Sequence, residues 1–304
     1  MARSDGSPGT GGLVHRANMR RMAFVLGLAA ALTYGAADFV GGLASRKAPV
    51  LSVVLLSQVA GTGLLLAALP FFLDPGPTTE SLAWGAASGA AGAAGVLFLY
   101  KGLASGSMSV VAPITAVEAA GVPVLWGLAT GERPAPVAVA GVVVALVAVV
   151  LVSGYEPAGR SETRTPFLRR PGVTDALIAG ASFGFFFILL DKTGDDAGLW
   201  PLVGARAASL SLLTALVLSR RHRPAATPGA RSAIVAAGVL DVAANLLYLL
   251  STREGLLSIV AVLTSLYPAS TVLLARVFLD ERIGRLQMAG LGAAVAGVVM
   301  MAAG

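Results

Sequence analysis

The chain has 304 residues, 56% hydrophobic and only 12% charged, with a mean hydropathy of +0.80; a soluble domain carries about 25% charged residues and could not cover its surface with so few. Cysteine is absent, which excludes disulfide frameworks and thiolate sites, and the two histidines, His15 and His222, lie outside the apolar runs, so no histidine-held metal is expected there. The net charge of +6 comes from arginines in the links between apolar runs. There they read as topology signals and lipid-headgroup contacts, not as a nucleic-acid surface.

Residues 1–21 are polar, rich in Gly and Ser, and expected to be a disordered tail. Arg20 and Arg21 ahead of an apolar stretch imitate a signal peptide, but the stretch continues to about Ala44, too long for a signal core. Ten runs of spanning length follow, at approximately 22–45, 49–73, 81–104, 107–130, 134–154, 173–192, 197–219, 231–252, 256–279 and 283–303. A bilayer core about 30 Å thick needs about 20 helical residues per crossing. Backbone groups in lipid must be satisfied within the segment, and no run alternates as a barrel strand would, so all ten are predicted to be transmembrane helices. The predicted fold is therefore an all-α integral membrane protein.

The third run carries Gly85, Gly89, Gly92 and Gly95 at spacings of four and three, a pattern that lets helix backbones approach closely. In the fourth, Glu118 lies near the middle, with Pro113 and Pro123 on either side. A proline removes a helix hydrogen bond and frees the carbonyl four residues earlier. Pro123 thus frees Ala119 beside Glu118, and broken helix at membrane depth is tolerated where it lines a wet cavity. The reading is that Glu118 lines such a cavity, contacting a cationic or polar ligand or exchanging a proton. A structural ion pair is the alternative. Low dielectric favours a neutral carboxyl, which would suit proton coupling.

The polar linker 155–172 divides the runs into two sets of five, 22–154 and 173–304. The sets align with a constant shift of 149 residues and no gap. Gly106 falls on Gly255, Ser109 on Ser258, Thr115 on Thr264, Glu132 on Glu281 and Arg133 on Arg282, while Gly35, Gly89 and Gly141 fall on Gly184, Gly238 and Gly290. An odd number of crossings per unit makes the second unit enter from the opposite side. That is an inverted-topology repeat, a hallmark of secondary transporters that bind substrate at the repeat interface.

These residues resemble a known family. The segment 254–300, with Pro268 inside the ninth run, Glu281 at its exit, then Gln287, Gly290 and Gly297, resembles the second half of an EamA-type protein of the drug/metabolite transporter superfamily. Glu132, Gly141 and the first-run stretch LTYGAADFVGG carry the pattern in the first half. That half departs at its prolines, since Ala119 stands at the position matching Pro268. The resemblance implies a ten-helix transporter with a central cavity, an exporter, in a bacterial plasma (inner) membrane.

The polar residues within the runs are few: Asp38, Gln58, Lys101, Glu118, Arg206, Asp241, Asn245 and Arg276. A charge at a helix centre costs about 3 kcal/mol or more, so a partner or a wet cavity is expected. Almost none is repeated at the shift of 149: Glu118 matches Tyr267, Arg206 matches Ser57, Asp241 matches Gly92 and Asp38 matches Phe187. The repeat encodes scaffold, and the unrepeated charges specialise a cavity. Arg206 needs a carboxylate, from Glu118, Asp38 or Asp241, and substrate contact is its alternative role. Asp241 and Asn245 are one turn apart and share a face. Tyr267, beside Pro268, is the aromatic taken as a cavity wall; Tyr34 and Trp126 are weaker candidates for one. The expected cavity set is thus Glu118, Asp38, Arg206, Asp241, Asn245 and Tyr267. Lys101 and Arg276 lie near helix ends and read as snorkelling side chains, and Glu132 and Glu281 read as structural.

No nucleotide-binding motif is present, so no cofactor is expected and a secondary transporter of a small metabolite or drug is the leading reading. A membrane-embedded enzyme lacks any histidine, cysteine or carboxylate pair at ligand spacing within one run, and a receptor or scaffold would not require an inverted repeat. Orientation signals conflict. Arg16, Arg20 and Arg21 favour a cytoplasmic N-terminus, whereas the odd-numbered links, mostly 160–170 and 220–231, hold more Lys and Arg than the tail and even-numbered links together.

Overall fold

The structure, a computed structural model, describes residues 10–71, 76–105, 108–153, 171–194, 196–221, 223–279 and 284–303. Among these every regular element is helical: α1 Thr10–Ser45, α2 Val50–Ala68, α3 Thr79–Ser105, α4 Met108–Ala129, α5 Pro136–Ser153, α6 Val173–Asp191, α7 Trp200–Ser219, α8 Arg231–Glu254, α9 Leu257–Thr264, α10 Tyr267–Leu279 and α11 Arg285–Ala303. Six stretches, in α1, α2, α3, α6, α7 and α8 with their flanking turns, are long and apolar enough to cross a bilayer. Shorter apolar stretches occupy Ile114–Ala129, Pro136–Leu151, Leu257–Thr271 and Met288–Met301.

Three expectations are corrected. Helix α1 begins at Thr10, inside the stretch expected to be disordered. Once the apolar part of a helix is docked, adding residues costs little, and no proline separates Thr10 from Arg21. The ninth run is two helices, parted at Ser265 and Leu266. Pro268 has no N–H to offer the Thr264 carbonyl, and Ser265 and Leu266 close the end of α9 by bonding back to Ala261 and Leu263. Helix α4, by contrast, runs unbroken from Met108 to Ala129 despite its prolines. The break expected beside Glu118 lies instead in the counterpart of α4.

Most helices of the first set find their principal partners in the second. Helix α1 packs on α8 and α3 on α6; α2 packs on α8 and α3 on α7; α5 packs on α11 and α4 on α6. The shift of 149 carries the first of these contacts into the second and the third into the fourth, and it returns α5–α11 to itself. The glycines that permit this are themselves related by the shift. A Cβ on Gly89 would collide with the Ala205 backbone of α7, and one on Gly238 with the Ser57 backbone of α2. Outward-facing positions are large and apolar, among them Leu32, Val59, Val143, Phe185, Leu212 and Val235, the inverse of a water-soluble surface.

Candidate functional site

Where α1, α2, α3, α4, α6, α7, α8 and the start of α10 converge, a cavity opens between the two sets of helices, with Ala119 as the lining residue of α4. Its volume is about 70 Å³, several times the roughly 10–15 Å³ that one water needs. Its walls include pairs of positions related by the 149-residue shift: Tyr34 with Phe183, Asp38 with Phe187, Ser57 with Arg206, Gly92 with Asp241, and Val96 with Asn245. The positions recur and the side chains do not. One wall position of each pair supplies chemistry that the other lacks.

A polar network crosses the cavity. Arg206 on α7, only 8% exposed, forms an ion pair with Asp241 on α8 and donates to Gln58 Oε1 on α2. The Ser209 hydroxyl, one turn beyond Arg206, reaches the same Gln58 oxygen at 3.3 Å. Asn245 donates from Nδ2 to the Asp241 carbonyl at 2.7 Å, and its Oδ1 accepts the Tyr34 hydroxyl of α1 at 2.8 Å. Four helices from both halves are thus tied by one chain of polar groups. Of the carboxylates open to Arg206 on sequence grounds, Asp241 is the partner.

Asp38 lines the same cavity, but among the described residues no hydrogen bond or ion pair reaches its carboxylate. Tyr267 lines it too, and its buried hydroxyl has no hydrogen-bond partner among the described residues. The remaining walls set the rings of Tyr100, Phe183, Phe186 and Phe187 among small and aliphatic residues. Phe187 stacks on Tyr248 with ring centroids 4.3 Å apart and meets Phe186 edge-on at 5.4 Å, and Tyr34 edge-on at 6.3 Å. Gly41, one turn after Asp38, leaves the space that the Tyr100 hydroxyl fills.

The structure therefore brings Asp38, Arg206, Asp241, Asn245 and Tyr267 to one cavity. Glu118 is not among its lining residues. That side chain points at α6, where Gly180 leaves room for it: a Cβ there would stand 2.7 Å from Glu118 Cβ and 3.0 Å from its carboxylate Oε2. The small-residue face of α6 draws α4 close, and the glutamate is taken up in that contact.

Other polar residues fall elsewhere. Lys101 pairs with Asp175 at 2.8 Å on an exposed rim, and Lys192 lies over the exposed Trp126 ring at 5.4 Å. Glu132 accepts from the backbone amides of Leu257 and Ser258 at 2.9 and 3.1 Å, capping α9 from the opposite half. The Arg276 side chain, Glu281 and the Gln287 side chain lie outside the described residues. Sequence reasoning did not place Gln58, Ser209, Tyr100, Phe183, Phe186 or Phe187 at the site. Gln58 was legible as a rare polar residue within a run, and Ser209 as the hydroxyl one turn from Arg206.

The fold and the site define a helical integral membrane protein built around a polar and aromatic cavity between two related halves. The profile of the EamA-like transporter family matches residues 21–154 and 170–303, two copies offset by the same 149 residues, and the chain belongs to that family. No curated protein sequence matches it. Its fold is similar to that of a solved structure described only as "Crystal structure of protein", with a TM-score of 0.69 and 17% identity over 91% of this chain and 95% of that one.

Proposed function

We propose that this chain is a secondary transporter that carries a small metabolite or drug through the cavity by alternating access. In this reading it makes ten crossings as two inverted five-helix repeats, the shorter apolar helices included, and exports its cargo, the direction implied by the family resemblance. It has no enzymatic role. The observation that carries the reading is the pairing of wall positions by the 149-residue shift. A cavity built on positions common to both halves lies at the repeat interface, where rocking of one half against the other exposes it to either side.

A carboxylate that exchanges protons with the cargo must reach the cavity. Asp38 does, so proton coupling, if the cycle uses it, passes from Glu118 to Asp38. The test is flux in proteoliposomes holding the purified full chain, measured across a panel of cationic, neutral, zwitterionic and anionic metabolites. Flux of at least one class above empty vesicles is expected. A folded protein that moves none of them overturns the proposal.

A further inference from the structure

One carboxyl in the cavity has no partner. Arg206 is committed to Asp241 and Gln58, which leaves the Asp38 carboxyl without a hydrogen bond or counter-charge among the described wall residues. Ionising such a group within hydrocarbon-clad walls is costly unless a cation reaches it. The surroundings specify what kind of cation fits. Six aromatic side chains, Tyr34, Tyr100, Phe183, Phe186, Phe187 and Tyr267, line the same cavity as Asp38. Aromatic faces attract ammonium groups, more strongly when both are desolvated. A hard metal ion would instead want about six oxygen ligands, and among the described residues no group of three His, Cys, Asp or Glu could hold one. The unpartnered Tyr267 hydroxyl adds a polar contact on the same walls.

From these observations we infer that the cavity takes an organic cation with an apolar body, an amine or quaternary ammonium, with Asp38 as its counter-charge and the aromatic rings around its hydrocarbon. The inference rests on the transporter reading for its setting, but its evidence is the charge and lining of the cavity alone. An anionic cargo is disfavoured because the guanidinium that would receive it is already held by Asp241.

The experiment titrates the full chain in lipid nanodiscs with four probes of similar shape: 2-phenylethylammonium, phenyltrimethylammonium, neutral 2-phenylethanol and anionic 3-phenylpropanoate. Both cations are expected to bind roughly tenfold or more tightly than the other two, and Asp38→Asn to remove that advantage, as expected for truncating one partner of a desolvated charge pair. Unchanged binding of 2-phenylethanol shows that the variant is folded, and the wild-type preference among the four probes does not depend on the variant at all. Equal binding of all four, binding of none, or full cation affinity in Asp38→Asn overturns the inference. Flux measured on the same preparation separates the two readings. Flux of neutral or anionic compounds without cations overturns the cation assignment and leaves transport standing. Asp38-dependent cation binding without flux of any compound does the reverse.

Discussion

Replacing Arg206 by methionine keeps much of the side-chain volume and strands Asp241 in a cavity that already holds Asp38. Removing one member of a buried ion pair costs about 3–5 kcal/mol, because the other charge is left uncompensated. Here the Asp241 side chain retains 23% exposure toward the cavity, so water relieves part of that cost. The lower end, about 3 kcal/mol, is expected, which is roughly a hundredfold in the folding equilibrium. Asp241→Asn strands the guanidinium instead, but Gln58 still accepts from it, and about 2 kcal/mol is expected. The double variant removes both charges and should cost no more than Arg206→Met alone, a coupling of about 2 kcal/mol. Unfolding in mixed micelles, followed by the fluorescence of the three tryptophans, measures all of these. Losses that simply add in the double variant would refute the ion pair as the element binding α7 to α8.

Gly89→Leu and Gly238→Leu should each abolish recovery of folded protein by gel filtration, since the added side chain would meet helix backbone, whereas Gly63→Leu, with nothing within 4 Å, should be recovered at the wild-type level. Glu132→Ala should speed amide hydrogen exchange at Leu257 and Ser258 by about fivefold, the effect of losing a cap worth about 1 kcal/mol, and unchanged exchange would show the cap to be inert. Glu118→Gln should leave the pH profile of flux unchanged, because the carboxylate faces α6 and not the cavity; a displaced profile would return Glu118 to the transport pathway.

Helix positions were legible because lipid-facing residues must be apolar whatever they pack against, and the register of the two halves was legible because Gly, Ser and Thr are constrained where backbones touch. The family profile falls on the same register. The cavity was legible in part. Asp38, Arg206, Asp241 and Asn245 declare themselves by their cost within apolar runs, and all four line it. Glu118 declares itself by the same rule and does not. An intramembrane carboxylate announces a need for partners, and sequence does not say whether those partners are water or the backbone of a neighbouring helix. The aromatic walls were hidden for the opposite reason, since a phenylalanine toward a cavity and one toward lipid look alike in one dimension. Nor could the prolines be ranked by eye: two in α4 leave a continuous helix, while the single Pro268 coincides with a break.

The unequal filling of the paired wall positions also bears on the energetics of the cycle. A chain with two identical inverted halves would have two end states related by symmetry, equal in energy and equally populated. Each mismatch, Asp38 against Phe187 or Arg206 against Ser57, tilts that balance, and a difference of about 1.4 kcal/mol is already a tenfold preference. Under the alternating-access reading, the residues that choose the cargo also set which way the empty protein rests. A substitution made to change specificity should therefore change the resting orientation with it.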